Sequence, residues 1–535
     1  MMQSLWRQEI SFNSEAKKPM TNIRIQLLIA SAVSAVLLTG CRVGPKYQKP
    51  PALAQAPPAV YKESPVNFPS SDVWKVAQPQ DAMLHGKWWE IYKDPELNSL
   101  EEKLNIDNQT IKQYFESFMA ARAIVAEARS QLYPTVSVGP SYLRSKSSGN
   151  LKNAASGNGT GVGGASTFTN TGSQSTIMTM PMDVSWEPDL WGRIRNTIRE
   201  YQYSAQMSAA DLENERLTEQ ATLAAYFFEI HGQDALEAVY KQTVSDDQKA
   251  LDYTRAQYET GMGTQISVIE AQNTLQNAQA ALTNVSVARA QYEHAIAVLI
   301  GVNPSTFSVP IKSLDATPPA VPTGMPSLLL ERRPDIAAAE RNMASANAAI
   351  GVADAAFYPT LMLSAGGGFE SSTWKHLFDW PSRFWSVGPT VSETVFDAGL
   401  RRATVNQYTA VYNADVASYR QTVLTAFQQV EDNLSAVRIL SDEIRQQQAD
   451  VASAQQTVDL EMARYQTGID PYINVVTTQA TLLNDQQILS NLRTQVMTSS
   501  VQLIVALGGG WDVTQLPTPG DVSAKPTAAE TSIQR

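Results

Sequence analysis

Tyr258-Glu259-Thr260-Gly261 and Tyr465-Gln466-Thr467-Gly468 are nearly the same four residues, and they stand 207 positions apart. The same spacing separates Gly192 from Gly399, each of which ends a polar–apolar alternating segment, and Leu299-Ile300-Gly301 from Ala506-Leu507-Gly508. A constant offset held over this distance marks a tandem duplication. Upstream, Tyr133-Pro134 and Tyr358-Pro359 pair at an offset of 225, so the first copy is 18 residues longer between its Tyr-Pro pair and its glycine. The excess falls on Ser145 to Ser175, a run of Gly, Ser, Asn and Thr without apolar periodicity, which reads as a flexible outward loop.

Each copy reads alike along its length. An Ala-rich stretch of helical character, Ile111 to Leu132 and Ile336 to Phe357, runs into the Tyr-Pro pair, where proline stops it. Two period-two segments follow. Val136, Val138, Pro140 and Tyr142 alternate with small or polar residues, as do Met178, Met180, Met182, Val184 and Trp186. In the second copy Leu361 and Leu363, then Trp385, Val387, Pro389 and Val391, do the same. Such segments are strands with one apolar face, and their length of about ten residues is that of membrane-barrel strands with aromatic anchors near the ends. A soluble β-sandwich corner is the alternative. After each hairpin comes a helical tract without internal proline, Gly192 to Gly261 and Gly399 to Gly468, roughly 100 Å long at 1.5 Å per residue. Each tract turns at glycine and returns for 40 residues. The second turn looks the better marked, with Asp470 as a cap and Pro471 at a first helical position.

Composition narrows the function. Of 535 residues only 17% are charged against 43% hydrophobic, and 41 basic against 52 acidic groups leave a net charge of −11. A globular domain carries roughly 25% charged residues, so large surfaces of this chain face something other than bulk water. The acidic balance argues against nucleic acid as a partner. Four histidines and a single cysteine give no metal-ligand spacing and no disulfide framework. No nucleophile elbow, GxGxxG turn or isolated carboxylate pair appears, so the chain does not read as an enzyme and no cofactor is expected. Met178-x-Met180-x-Met182 invites a soft-metal reading, but strand spacing puts all three on the apolar face, which suits a barrel exterior better.

Residues 1–40 read as a signal peptide, with Met20 the better initiator; Lys17, Lys18 and Arg24 precede the apolar run Ile25 to Leu38. The ending Leu38-Thr39-Gly40-Cys41 resembles a bacterial lipoprotein processing site, with Cys41 as the lipid-bearing residue; an ordinary signal peptide with an incidental cysteine is the plainer alternative. Beyond Cys41 no apolar run approaches about 18 residues, so a membrane span would have to be a barrel. The remaining divisions are an extended, lipid-anchored segment at 41–95, the first repeat at 96–301, a linker at 302–330, the second repeat at 331–510 and a polar tail at 511–535. One chain offers four strands where the smallest membrane barrels need about eight, so other copies must complete the pore.

Several motifs resemble those of the TolC-like outer-membrane efflux factors, and within them the NodT-type lipoproteins. They are Cys41-Arg42-Val43-Gly44-Pro45-Lys46-Tyr47, Trp88-Trp89 with Asp94-Pro95-Glu96-Leu97, Glu331-Arg332-Arg333-Pro334-Asp335-Ile336, Phe396-Asp397-Ala398-Gly399 and the two Tyr-x-Thr-Gly turns. The likeness runs from Cys41 to about Trp511. It implies an α+β membrane protein: a homotrimer whose tandem-repeat protomers build a twelve-stranded β-barrel, continued by a long α-helical periplasmic barrel. It further implies a lipid-anchored protein of the bacterial outer membrane that extends into the periplasm. Its partners would be a periplasmic adaptor and an inner-membrane pump, for which it is the passive exit duct. A duct for one-step protein secretion, or a poreless lipid-anchored coiled-coil spacer, are the other readings.

The resemblance also implies that the tunnel closes just beyond each glycine turn, through a ring that often holds an acid nine positions after the glycine. From Gly468 that position is Thr477, with Ile473 and Asn474 one turn earlier; from Gly261 the equivalents are Glu270, Ile266 and Ser267. The acid is absent from the second copy and present in the first. Closure is therefore expected from Ile473 packing with hydrogen bonds of Asn474 and Thr477, and a cation-selective field from Glu270 or Asp470. The tips Gly261, Gly468 and Asp470 are expected to face the adaptor. Ordinary hairpin packing at the same positions is the plainer alternative.

Overall fold

The computed structural model describes residues 42–53, 60–63, 74–76, 86–146, 174–314, 317–323 and 329–526. Cys41 and most of the Ser145 to Ser175 segment lie outside them. The elements, in chain order, are β1 (Trp74–Val76), α1 (Pro95–Asp107), α2 (Gln109–Ser130), β2 (Thr135–Val138), β3 (Ser141–Lys146), β4 (Gln174–Trp186), α3 (Arg193–Glu259), α4 (Gln265–Leu299) and β5 (Val321–Thr323). Then follow α5 (Leu329–Arg332), α6 (Pro334–Ala355), β6 (Thr360–Ser371), β7 (Arg383–Ser392), α7 (Leu400–Gln466), α8 (Tyr472–Ala506) and α9 (Pro519–Ser523). The chain divides into two compact units, one holding residues 129–196 and 351–402, the other holding the long hairpins.

The first unit is an antiparallel sheet in the order β2-β4-β6-β7, with β3 continuing β2 along the edge of β4. The break between β2 and β3 falls at Gly139-Pro140, opposite Pro181 of β4, where the ladder lacks an amide donor. Directly opposed residues share a face. The row Val136, Val184, Ala365 and Val387 is therefore apolar across all four strands, as is Val138, Met182, Gly367 and Trp385. The reverse face carries Ser137, Asp183, Gly366 and Ser386 in one row and Thr135, Ser185, Ser364 and Gly388 in the next. Ser145 and Ser175 are paired strand ends, their hydroxyls 2.8 Å apart, so the expected loop begins two residues too early and ends two too late. Polar side chains at a strand end give no sign that the ladder continues.

The second unit is built from four long helices. α3 and α7 each have 67 residues, and α4 and α8 each have 35. On α7, Tyr419, Val423, Ala426, Val430, Leu434 and Val437 recur every three or four residues and are all buried, the seam expected of close helix packing. They join Phe227 and Phe228 of α3, Ile296 of α4 and Val501 and Ile504 of α8 in one core, which also takes Trp88, Trp89 and Leu97. The Arg-Arg-Pro-Asp run ties two helix ends together. Buried Arg333 pairs with Asp335 at 2.6 Å and donates to the carbonyl of Ala506, an orphan acceptor at the end of α8.

Three expected boundaries change. Asp470 does not cap α8; Pro471 is the N-cap, without a side-chain bond, and Asp470 pairs with Arg464. The 302–330 stretch is more than a linker. Val309 and Leu314 are buried, and Arg289, held by Asp234 and Glu293, donates to the Val309 carbonyl at 2.7 Å. The described part of 511–535 is a packed clasp. Val522 is buried with Phe118 and Ala205, Gln206 donates to the Pro517 carbonyl at 2.7 Å, and Arg122 to that of Ala524 at 3.0 Å. A lone valine in polar sequence has no periodicity to betray it.

Candidate functional site

The two long hairpins end alike. Gly261 and Gly468 have φ of 75° and 74°, and the amides of Met262 and Ile469 reach back to the carbonyls of Gln257 and Arg464 at 2.9 and 3.0 Å. This closure needs a left-handed residue just past the helix, and glycine adopts that conformation without a Cβ penalty. Beyond it the tips diverge. The first opens α4 with Thr264, whose hydroxyl accepts from the Ser267 amide at 3.2 Å. The second replaces that cap with the Arg464–Asp470 ion pair.

Both tips line one cleft of about 360 Å³, which takes Ile266, Ser267 and Glu270 from the first and Gly468, Asp470 and Ile473 from the second. Its floor is aromatic. Tyr465 and Tyr472 line it with their rings 5.1 Å apart, and behind them Tyr253 stands 5.9 Å from Tyr465, all packed with Ala250, Leu251, Ala271, Leu275 and Val475. Burial first, and then the neighbouring Asp247, pushes the Tyr472 hydroxyl far above the ordinary phenol range, so it stays neutral. The Arg464 guanidinium holds the Asp470 carboxyl below its usual value. Asp247 is displaced the other way. It is 2% exposed, its Oδ2 has no hydrogen-bond partner among the described residues, and burial followed by the adjacent Asp246 raises it to about 6. Asp246 itself is tied to Lys249 at 2.9 Å.

Of the residues singled out from sequence, Ile266, Ser267, Glu270, Gly468, Asp470 and Ile473 are thus brought together, and Gly261 forms the turn beside them. Asn474 and Thr477 do not line the cleft. The Thr477 hydroxyl donates to the Ile473 carbonyl of its own helix at 2.8 Å and keeps its acceptor lone pairs, and Ile473 is 47% exposed within the protomer. Sequence reasoning does not find the tyrosine floor or Asp247. Tyr465 belongs to the repeated turn motif, but its counterpart Tyr258 is exposed and the repeat hides the difference. Met178, Met180 and Met182 do share the apolar face, with Met178 covered and the other two exposed. Among the described residues no group of three His, Cys, Asp or Glu side chains is placed to hold a metal ion, and no helix is long and apolar enough to cross a membrane.

Known proteins resemble this chain in sequence and fold. The family model for outer membrane efflux proteins matches residues 102–302 and 325–509. The toluene efflux pump outer membrane protein TtgC of Pseudomonas putida is 30% identical over 487 residues, covering 90% of this chain and 96% of that protein. The antibiotic efflux pump outer membrane protein ArpC of Pseudomonas putida aligns with the same identity and the same coverage. Among solved structures, the outer-membrane channel OprN superposes with a TM-score of 0.77 at 25% identity, covering 88% of this chain and all of that one.

Proposed function

Because the chain belongs to the outer membrane efflux protein family, we propose that it is the exit duct of a tripartite efflux pump, passing substrates from an inner-membrane transporter and a periplasmic adaptor to the exterior. The observation that carries the mechanism is the sheet: a ladder four strands wide, with β3 continuing β2, whose rows at Val136 and Val138 are apolar on one face and whose rows at Thr135 and Ser137 are small or polar on the other, and in which the outer edges of β2–β3 and of β7 pair with nothing among the described residues. Open edges in a lipid-facing sheet leave amides and carbonyls without partners, which the bilayer does not tolerate. Three copies joined edge to edge close a twelve-stranded barrel with its apolar face to lipid and the Ser/Gly/Asp183 face to water. The long hairpins form the periplasmic conduit, and their tips face the adaptor. Transport through such a duct is passive, and the pump supplies the energy.

Acyl chains on Cys41 add an anchor to the barrel; Cys41→Ser is expected to abolish labelling by a fatty-acid probe and to leave the barrel inserted. The gate consists of the cleft residues. Ile266 and Ile473 carry exposed apolar side chains into it, Glu270 and Asp470 give it acidic character, and three copies brought together at the axis narrow the opening. TtgC and ArpC are equally similar to this chain and are named for toluene and for antibiotics, so the similarity favours no single permeant class. The test is single-channel recording of the purified protein in a planar bilayer together with its mass in detergent. Three chains per particle and a discrete conductance are expected, with a larger conductance for Ile266→Ser combined with Ile473→Ser. A monomer without conductance overturns the channel reading. Intact trimers with unchanged conductance in the double variant move the constriction elsewhere.

A further inference from the structure

The charged residues of the sheet are sorted by face and by end. On the polar face the described strands carry Asp183 and Glu370 and no base; on the apolar face they carry Arg144, Lys146 and Arg383 and no acid. All three bases stand at the end where the strands turn in hairpins. The opposite end, where helices join at Thr135, Trp186, Thr360 and Ser392, has none on that face. Residues 372–382, which connect β6 to β7, fold back over this basic end. Trp374 stacks parallel to Tyr142, Phe378 meets Phe369 edge-on at 5.4 Å between ring centroids, and Leu377 is buried beneath. The segment adds Lys375 and leaves Trp374 and Trp380 69% and 77% exposed; the Arg383 guanidinium lies over the Trp380 ring. The acid of the segment, Asp379, is engaged by His376 at 2.6 Å.

We propose that Arg144, Lys146, Lys375 and Arg383, with Trp374 and Trp380, form a collar that binds the phosphates of the glycolipid in the outer leaflet. The inference rests on the orientation proposed above, in which the hairpin end faces outward. Two features make the occupant a lipid headgroup rather than solvent or protein. The collar continues the apolar face without a break, through Tyr142 and Phe369, so it sits at the height where acyl chains give way to headgroups. It also joins exposed indoles, which settle at that interface, to cations that outnumber acids by four to one, the complement of a multiply phosphorylated headgroup. The helix-joining end of the same face, which would meet the inner leaflet, shows no such charge.

The experiment uses the full-length protein in detergent and native mass spectrometry with three probes: bis-phosphorylated lipid A, the same lipid dephosphorylated, and phosphatidylglycerol. The wild type is expected to retain lipid A preferentially. Arg144→Gln, Lys146→Gln, Lys375→Gln and Arg383→Gln together should lower retention by at least about tenfold, since each surface charge contributes on this scale. Restoring charge with Arg144→Lys and Arg383→Lys should keep it. Should the fourfold variant fail to assemble, Lys146→Gln with Lys375→Gln, both at exposed positions, should still show a partial loss. Unchanged retention in a folded variant, or equal retention of phosphatidylglycerol, overturns the collar. Bilayer conductance is recorded on the same samples. A protein that conducts but ignores lipid A refutes the collar alone, and one that binds lipid A without conducting refutes the channel alone.

Discussion

The two hairpin tips have helices of equal length on either side and are fastened in opposite ways. In the second tip Tyr465, Tyr472 and Val475 are buried, all against Ala250, Leu251, Ala271 and Leu275 of the first hairpin. At the corresponding positions of the first tip stand Tyr258, Gln265 and Val268, and its residues Met262, Ile266 and Ile269 are 79%, 68% and 59% exposed. Only the second copy has turned its motif tyrosine into a fastener. Duplication preserved the lengths and the glycine turns, which fix where the tips end, and released the side chains between them to diverge. Both tips keep isoleucines in solvent, Ile469 and Ile473 at 67% and 47% in the second, so the difference between them lies in the buried tyrosines.

Truncating the equivalent tyrosines one at a time separates the two tips most strongly. Tyr465→Ala removes a buried ring packed between Tyr253 and Tyr472 and should cost about 3–5 kcal/mol, whereas Tyr258→Ala, at an exposed position, should stay within about 0.5 kcal/mol. Denaturant unfolding and amide exchange along α7 and α8 read the difference. Similar costs for the two would mean that the tips are fastened alike.

The next largest effect comes from Asp247, whose counterpart in the second copy is Ala454. Its folded value of about 6 lies above the ordinary 3.8, so folding favours the protonated form. Stability is therefore greatest below about pH 4, falls as pH rises through about 6, and is flat above it. Asp247→Asn should gain on the order of 2–3 kcal/mol at pH 7 and nothing at pH 4. A gain of equal size at both pH values would trace it to packing and not to the buried charge.

The contrast between the tips also shows what the sequence makes legible. The strands and long helices are readable because their signals are periodic: alternation over ten residues, glycines at a repeated spacing, prolines after Tyr133 and Tyr358. The parallel pair β1–β5, three residues on each side, is too short to have a period. The Arg464–Asp470 pair looks like a cap in the sequence because Asp-Pro before a helix is a good local signal, and the competing arginine lies six residues back, across the turn. The tyrosine floor depends on which face of α3 meets which face of α7 and α8. That is a tertiary fact, and a repeat that keeps the tyrosine in both copies conceals it. Of the candidate site, the turns and the isoleucines are legible and the floor beneath them is not.

A smaller effect separates the two helix starts. Thr264→Ala should cost about 1 kcal/mol, lost from the first turn of α4, because a side-chain acceptor for the Ser267 amide disappears. Pro471 offers no such bond, so Pro471→Ala removes no cap. Exchange rates of the amides following each cap test this. Fraying at α8 on Pro471→Ala that matches the fraying at α4 on Thr264→Ala would remove the distinction.

The smallest effect on stability is expected from Asp470→Asn, and its pH window is opposite to that of Asp247. Asp470 is held below its ordinary value by Arg464, at an exposed turn where solvent screens most of the attraction. A depressed acid contributes only while ionised. Its contribution is present above the ordinary carboxylate range and disappears as pH falls through the lowered folded value, which is the opposite of Asp247. Acid titration should therefore find two opposed changes at the tips: a gain as Asp247 takes up its proton near pH 6, then a loss below about pH 4 as Asp470 does. Exchange rates at Ile469 and Gly468 report the second step, since the Arg464 side chain bridges that turn. In Asp470→Asn the low-pH loss should vanish while the Asp247 step remains. A low-pH loss that survives the substitution would show that the second tip is held by its tyrosines alone, with the ion pair adding nothing.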